Sequence, residues 1–228
     1  MEISLCLLTW NELEGCKHDL PLLPLGSFQE VFTIDNGSTD GTIEFLEANH
    51  IRVVQQKMPT YNGAYMSAFL ECNSDYLVFY HPKGSINPED CLKFRQFFER
   101  GYDIVIGSRL VRGSRNEEDD CLIKPRKWFV ISVAILSSIL WRKQGPIIWD
   151  VLHGFRGYRK SAYFSINPQE RGVFIDLESI VRAYKKGLRC AEFPVHEAAR
   201  LKGATHFRAL PVGGQILKYM WFEIWRKD

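Results

Sequence analysis

The sequence predicts an α/β protein whose central sheet is mostly parallel and flanked by helices. Three observations carry that prediction. Short apolar runs read as buried strands, helical stretches separate them over the first hundred residues, and turn-rich segments punctuate the strand ends.

Glu2 to Thr9 (EISLCLLT) is the first buried strand, and Glu30 to Asp35 (EVFTID) is another, ending in the turn-rich NGSTDGT. Thr39 or Asp40 can cap the helix TIEFLEAN, because a side-chain oxygen there accepts from the first free backbone amides. His50 to Gln55 (HIRVVQ) is a third strand, Asn62 to Cys72 a third helix with Gly63 near its start, and Tyr76 to Tyr80 a fourth strand. Asn87 to Gly101 opens with an Asn cap, Pro at the first helical position and acids in the first turn, then ends on Gly, so it reads as one helix.

Strand YDIVIGS at Tyr102 to Ser108 follows at once. Arg109 to Lys124 is polar, charged and without period, a loop over the sheet's carboxyl edge. Next come an apolar helix at Trp128 to Trp141, a segment IIWD leading to HGFRGYR, a helix near Phe174 to Lys186, a strand LRCAEFPV and a last aromatic-rich helix. No Gly, Ser or Pro linker and no internal repeat divides the chain. One domain over 1–228 with an elaborated C-terminal half is expected.

With 46% hydrophobic and 13% aromatic residues, the chain can bury a full core, which argues against disorder. A formal net charge of +2 argues against a general nucleic-acid binder, so no nucleic-acid partner is expected. The six cysteines show no CxxC pair and no zinc-finger spacing, and the N-terminus lacks the features of a signal peptide, so a reducing, cytoplasmic location is expected. The longest apolar run, at Trp128 to Trp141, has about fourteen residues, short of the roughly twenty that span a membrane.

At the end of the fourth strand stands His81-Pro82-Lys83, where open α/β sheets place their ligands. Quoted together, LLTWNE, TIDNGSTDGT, YNGAYMSAF, DYLVFYHPKGSINPED, YDIVIGSR, WDVLHGFRGYR, FIDLE and HEAARLKGATHF fall in the order and spacing of family 2 glycosyltransferases. They most resemble the dolichyl-phosphate mannose synthase and polyprenyl-phosphate glycosyltransferase branch, from Ile3 to about Phe207. The resemblance implies a single GT-A type, Rossmann-like domain, with 1–108 as its nucleotide-sugar-binding half and 109–228 as its acceptor-side half. It also implies inverting transfer of a sugar from a nucleotide-diphosphate sugar to a polyprenyl (dolichyl-type) phosphate.

The resemblance assigns roles that elementary chemistry supports. After the first strand, Leu8, Trp10 and Glu12 would bind the nucleotide sugar: an aromatic can cover a base, and a carboxylate accepts from base or ribose donors. Taken alone, that stretch is more readily explained as a strand end with an incidental Trp. Asp35 would accept from the base, while Asn36 replaces the family's second Asp, and Gly37 to Gly41 read mainly as a turn and helix cap. Arg109 puts a guanidinium fork at the mouth of the fifth strand, suited to a phosphate, whereas Arg112 and Arg115 are as readily paired with Glu117 to Asp120. Asp150 and Arg156 match D-x-x-x-G-F-R, Glu178 matches the family's acid on the following helix, and Arg200 with Thr205 matches R-x-x-G-x-S. Asp150, Arg156, Glu178 and Thr205 would line the acceptor side, and Arg200 would join Lys83 and Arg109 in catalysis.

Aligning FYHPKGSINPED onto the family's F-x-D-A-D-x-x-x-x-P-E-D puts His81 and Lys83 where two acids hold Mg²⁺ or Mn²⁺ in relatives. A protonated lysine cannot ligate a metal, so no metal site and no cofactor are expected, with a divalent cation still open. Either Lys83 supplies the metal's positive charge to the leaving diphosphate of the nucleotide sugar, with His81 and Arg109 adding donors, or the site has ceased to catalyse and the fold binds a nucleotide, lipid or partner. A sugar-hydroxyl acceptor stays open too; it would need a base, for which Glu178, Asp150 and Glu197 are candidates. Cations flank the Trp-bounded helix KPRKWFVISVAILSSILWRK and recur in ILKYMWFEIWRKD, which suits helices at the cytoplasmic face of a membrane or helices covering a core or oligomer contact.

Overall fold

A computed structural model describes residues 1–201 and 209–226. One seven-stranded sheet runs through it in the order β3-β2-β1-β4-β6-β5-β7. The strands are β1 (Ile3–Thr9), β2 (Glu30–Asp35), β3 (Arg52–Gln55), β4 (Tyr76–Tyr80), β5 (Ile104–Ser108), β6 (Arg156–Arg159) and β7 (Cys190–Pro194). The helices are α1 (Leu13–Asp19), α2 (Thr42–Ala48), α3 (Thr60–Glu71), α4 (Lys93–Glu99), α5 (Pro125–Trp141), α6 (Lys160–Ser165), α7 (Ile175–Lys186) and α8 (Ala209–Trp225).

All seven residues of β1 are buried because helices cover both faces of the sheet, which is why the strand reads as a continuous apolar run. β1 pairs in parallel with β2 on one side and β4 on the other, Leu5 lying opposite Val31 and Val78. The chain therefore winds outward through β2 and β3, then returns across β1 to form β4. This reversal opens a crevice at the carboxyl ends of β1 and β4, the ligand position of open α/β sheets. Trp10 to Glu12 and His81 to Lys83 flank that crevice.

β6 is not legible as a strand in the sequence, where it lies within HGFRGYR. It runs antiparallel between β4 and β5, with Gly157 opposite both Val78 and Val105. A Cβ at Gly157 would stand 2.8 Å from Phe98 Cζ and 2.9 Å from Phe94 Cδ1, so glycine lets these rings press onto the sheet. The segment expected as a single helix at Asn87 to Gly101 divides into a 3₁₀ turn, Pro88–Leu92, and α4. Asn87 does cap it, accepting from the Glu89 amide at 3.1 Å. The N-cap of α2 is Gly41, with a φ of 95°, rather than Thr39 or Asp40; Asp40 stands one residue earlier, and its Oδ1 accepts from the Thr42 amide at 3.0 Å.

α8 is pinned by charge as well as by apolar contact. Glu223 accepts from Arg182 Nε at 2.9 Å and Lys185 Nζ at 2.8 Å, both on α7. The outer faces of α5 and α8 leave Ile139, Trp221 and Trp225 exposed by 75%, 64% and 69%. No helix among the described residues is long and apolar enough to cross a membrane.

Candidate active site

The segment after β4 is held by the backbone on two sides. On one, α1 presents Gly15, where a Cβ would lie 2.0 Å from the Pro82 carbonyl oxygen; only glycine permits that approach. On the other, the chain after β7 lies alongside it: the Ala198 amide donates to Ser85 O at 2.8 Å and the Leu201 amide to Lys83 O at 3.1 Å. Lys83 is thereby fixed at the floor of a cleft of about 890 Å³.

The Lys83 ammonium makes no hydrogen bond or ion pair among the described residues. Burial pushes its pKa below the usual lysine value, with Glu12 opposing, Arg200 reinforcing, and Glu197 and Arg109 adding smaller opposite effects. Burial, with Lys83 and His153 nearby, also holds the His81 imidazole well below its ordinary pKa, so it is neutral at pH 7. His81 Nε2 lies 3.4 Å from Tyr61 Oη, and a chain of contacts continues through Tyr65 Oη (3.2 Å) to Asp176 Oδ1 (3.2 Å). Among the described residues no group of three or more His, Cys, Asp or Glu stands close enough to hold a metal ion.

Three expected ligand-binding residues are instead engaged within the protein. Arg109 was expected to offer its fork to phosphate; its Nε and Nη2 donate to Asp150 at 2.8 and 2.9 Å, and its Nη1 to Glu197 at 3.1 Å. Despite full burial, this pairing lowers the Asp150 carboxyl to about 2 and raises Arg109 above the usual arginine value. Glu12, expected on base or ribose, accepts from Arg200 Nη2 with both oxygens, at 2.7 and 2.6 Å. Asp35, expected on the base, accepts from Thr9 Oγ1 at 2.6 Å and from the Ser38 amide and hydroxyl at 2.7 and 2.6 Å.

Other positions are corrected by burial. Leu8 is a core side chain packed with Phe32 and Ile34 rather than a cleft residue, because strand alternation sends it into the sheet's helix-covered face. Trp10 is 41% exposed at the end of β1, where a planar ligand could reach it. Arg156 is fully buried, donating to the carbonyls of His153 (2.6 Å) and Asp176 (2.7 Å), so it braces the acceptor side from behind. Glu178 also faces inward, accepting from Asn62 Nδ2 at 3.0 Å and pairing with Arg182 at 2.6 Å. Burial raises its carboxyl to about 7 against the pull of Arg182. Thr205 lies outside the described residues.

Residues without a role in the sequence motifs complete the cleft. Asp176, two positions before Glu178, faces it, and so do His153 and Tyr61. On a helix, residues two apart point in nearly opposite directions, so only one acid of FIDLE can face the cleft. The motif shows both acids but not which. In the loop after β5, Arg115 pairs with Asp120 at 2.6 Å, as the charge pattern there suggests. The far side of the cleft is apolar, formed by Phe129 and Val130 of α5 and Val212, Ile216 and Leu217 of α8.

Comparison with known proteins shows the family and the fold. Residues 10–164 match the family model described as glycosyl transferase family 2. The chain belongs to that family. Within it, the chain is 24% identical over 228 residues to glycosyltransferase AglJ of Haloferax volcanii, covering 98% of this chain and 72% of that protein. It is 27% identical over 166 residues to a dolichyl-phosphate hexose transferase of the same organism, covering 73% and 68%. It is also 24% identical over 217 residues to polyprenol monophosphomannose synthase of Mycolicibacterium smegmatis, covering 86% and 77%. This family 2 member is thus related to polyprenyl-phosphate sugar transferases. Its fold is that of GT-A glycosyltransferases: glucosyl-3-phosphoglycerate synthase from Mycobacterium tuberculosis, solved with Mn²⁺, UDP and phosphoglyceric acid, superposes with a TM-score of 0.71 at 17% identity. That match covers all of this chain and 80% of the other.

Proposed function

We propose that the protein is an inverting glycosyltransferase that moves a sugar from a nucleotide-diphosphate sugar to a polyprenyl phosphate, with Lys83 serving where relatives use a metal. The observation that carries this reading is a single cleft with two kinds of wall. Its floor holds the Lys83 cation, which has no hydrogen-bond or ion-pair partner among the described residues, and its flank is the apolar surface of α5 and α8. A molecule with an anionic head and an apolar tail suits both. The names of the relatives support the same acceptor class.

In this reaction an acceptor phosphate oxygen attacks the anomeric carbon from the face opposite the nucleotide. The bond from that carbon to the diphosphate breaks, and the leaving group takes the electron pair. Lys83 stabilises the charge that builds on the departing oxygens, an effect that is strong in a water-poor cleft. Because a phosphate acceptor is already anionic, no general base is required. Arg109, locked on two carboxylates, positions the cleft wall; Arg200, on Glu12, stands beside Lys83 and can turn toward a diphosphate.

A hard divalent cation prefers carboxylate and phosphate oxygens. A histidine and a lysine at residues 81 and 83 do not provide them; the nearby Glu12 and Asp150 give both oxygens to arginines, and Glu197 gives one to Arg109. The residues present do not fit the cation that the related structure contains.

We further propose that the exposed apolar faces of α5 and α8 rest on the cytoplasmic face of a membrane, where a polyprenyl phosphate resides. The alternative reading is a binding protein without transferase activity. Offering polyprenyl phosphate and free sugars as acceptors beside radiolabelled nucleotide sugars tests the proposal: label should enter the lipid. Exclusive labelling of a free sugar overturns the acceptor, and nucleotide binding without any transfer favours the inactive reading.

A further inference from the structure

His153 occupies a position that the transfer mechanism leaves unused. Its side chain is more than nine-tenths buried yet lines the cleft. Nδ1 lies 2.5 Å from the carbonyl oxygen of Gly107 at the end of β5. A carbonyl oxygen can only accept, so Nδ1 carries the proton, and in the neutral ring Nε2 is left as a bare acceptor. Burial and the neighbouring Arg109 keep the ring neutral by lowering its pKa, outweighing Asp150 and Glu197.

Nε2 faces a second acceptor. Glu197 Oε1 is 3.9 Å away, too far for a hydrogen bond, while the other oxygen of that carboxylate accepts from Arg109 at 3.1 Å. Glu197 stays ionised, its pKa lowered by Arg109 against the effect of burial. Two acceptors side by side cannot satisfy one another; the space before them calls for donors.

The surroundings decide what kind. Phosphate oxygens are acceptors and would be repelled. A cationic ligand or a metal ion would meet the guanidinium already seated on Glu197 and the Lys83 ammonium, which senses the same carboxylate. A neutral donor remains, and each hydroxyl brings one proton, so two acceptors match two adjacent hydroxyls, as on a pyranose ring.

We propose that His153 Nε2 and Glu197 Oε1 form a two-acceptor subsite for adjacent hydroxyls of the transferred sugar. The subsite rests on the reading that the cleft holds a nucleotide sugar, and it assigns His153 a positioning and specificity role.

The test is calorimetric binding of UDP against UDP-glucose and GDP against GDP-mannose, to the wild-type chain and to His153→Asn. Asparagine can keep the donor to Gly107 while removing the Nε2 acceptor. The sugar should tighten binding in the wild type; His153→Asn should leave the nucleoside diphosphate within about twofold and lower nucleotide-hexose affinity about tenfold. Deoxy analogues of the bound nucleotide hexose supply a second measurement that needs no variant: removing one of two adjacent hydroxyls should weaken wild-type binding by a similar factor. If the sugar adds nothing to wild-type affinity, or if every deoxy analogue binds like the parent, the subsite is overturned while the nucleotide site stands. If wild type binds none of the four nucleotides, the nucleotide-sugar reading itself falls and takes the subsite with it.

Discussion

Arg109 grips Asp150 through two parallel hydrogen bonds, Nε to Oδ2 at 2.8 Å and Nη2 to Oδ1 at 2.9 Å, with the carboxylate fully removed from solvent. A buried bidentate pair of this kind owes its stability to both partners. Removing one leaves the other charged and unsolvated. Arg109→Leu should therefore destabilise the fold by about 3–5 kcal/mol, measured by urea unfolding, and Asp150→Asn, which retains some acceptor capacity, should cost less. If Arg109→Leu unfolds at the wild-type midpoint but loses nucleotide binding, Arg109 is a ligand residue rather than a brace.

Gly15 and Pro82 make the second contact that shapes the site. Because a Cβ at residue 15 would lie 2.0 Å from a backbone oxygen, no flexible side chain can move aside to relieve it. Gly15→Ala should cost about 1–3 kcal/mol through overpacking. It should also displace Lys83, weakening nucleotide binding beyond the loss of stability. Thermal unfolding with and without nucleotide separates the two effects.

The pKa of Lys83 gives transfer a pH dependence of defined sign. The active form is the ammonium, and burial lowers the pH at which it loses its proton. Transfer should therefore decline on the alkaline side at a pH below that of an ordinary lysine, and Lys83→Arg should move the decline upward if any activity remains. A pH–rate profile checks this; an unchanged alkaline limb in Lys83→Arg would assign the titration to another group.

Trp221 and Trp225 project from α8 beside cationic residues, an arrangement suited to a bilayer boundary. Replacing both with Ser should weaken binding to anionic vesicles about tenfold or more, since each buried aromatic contributes on the order of 1–2 kcal/mol. Liposome flotation measures this, and equal flotation of wild type and variant would remove the helix from the membrane contact.

The parallel part of the sheet was legible because buried strands and their turns write themselves as apolar runs and Gly- or Asp-rich punctuation. β6 was not, since Arg156 to Arg159 carries two arginines and no apolar run; its burial depends on Phe94 and Phe98 far away in sequence. The site was legible as positions rather than as roles. Arg109, Glu12 and Asp35 stand at the expected strand ends, but their partners Asp150, Arg200 and Thr9 come from other strand ends and loops, and no local pattern shows that they meet. Asp176 was hidden behind Glu178 by helix phase, and His153 by having no neighbour in sequence that marks its tautomer.

The central claim is that the Lys83 ammonium performs the work of a metal, and sugar transfer to polyprenyl phosphate with and without EDTA tests it most directly. The rate should be the same in EDTA, unaffected by added Mn²⁺ or Mg²⁺, and about 10²–10³-fold lower in Lys83→Ala. Transfer that EDTA abolishes and Mn²⁺ restores, with Lys83→Ala as active as wild type, would contradict it.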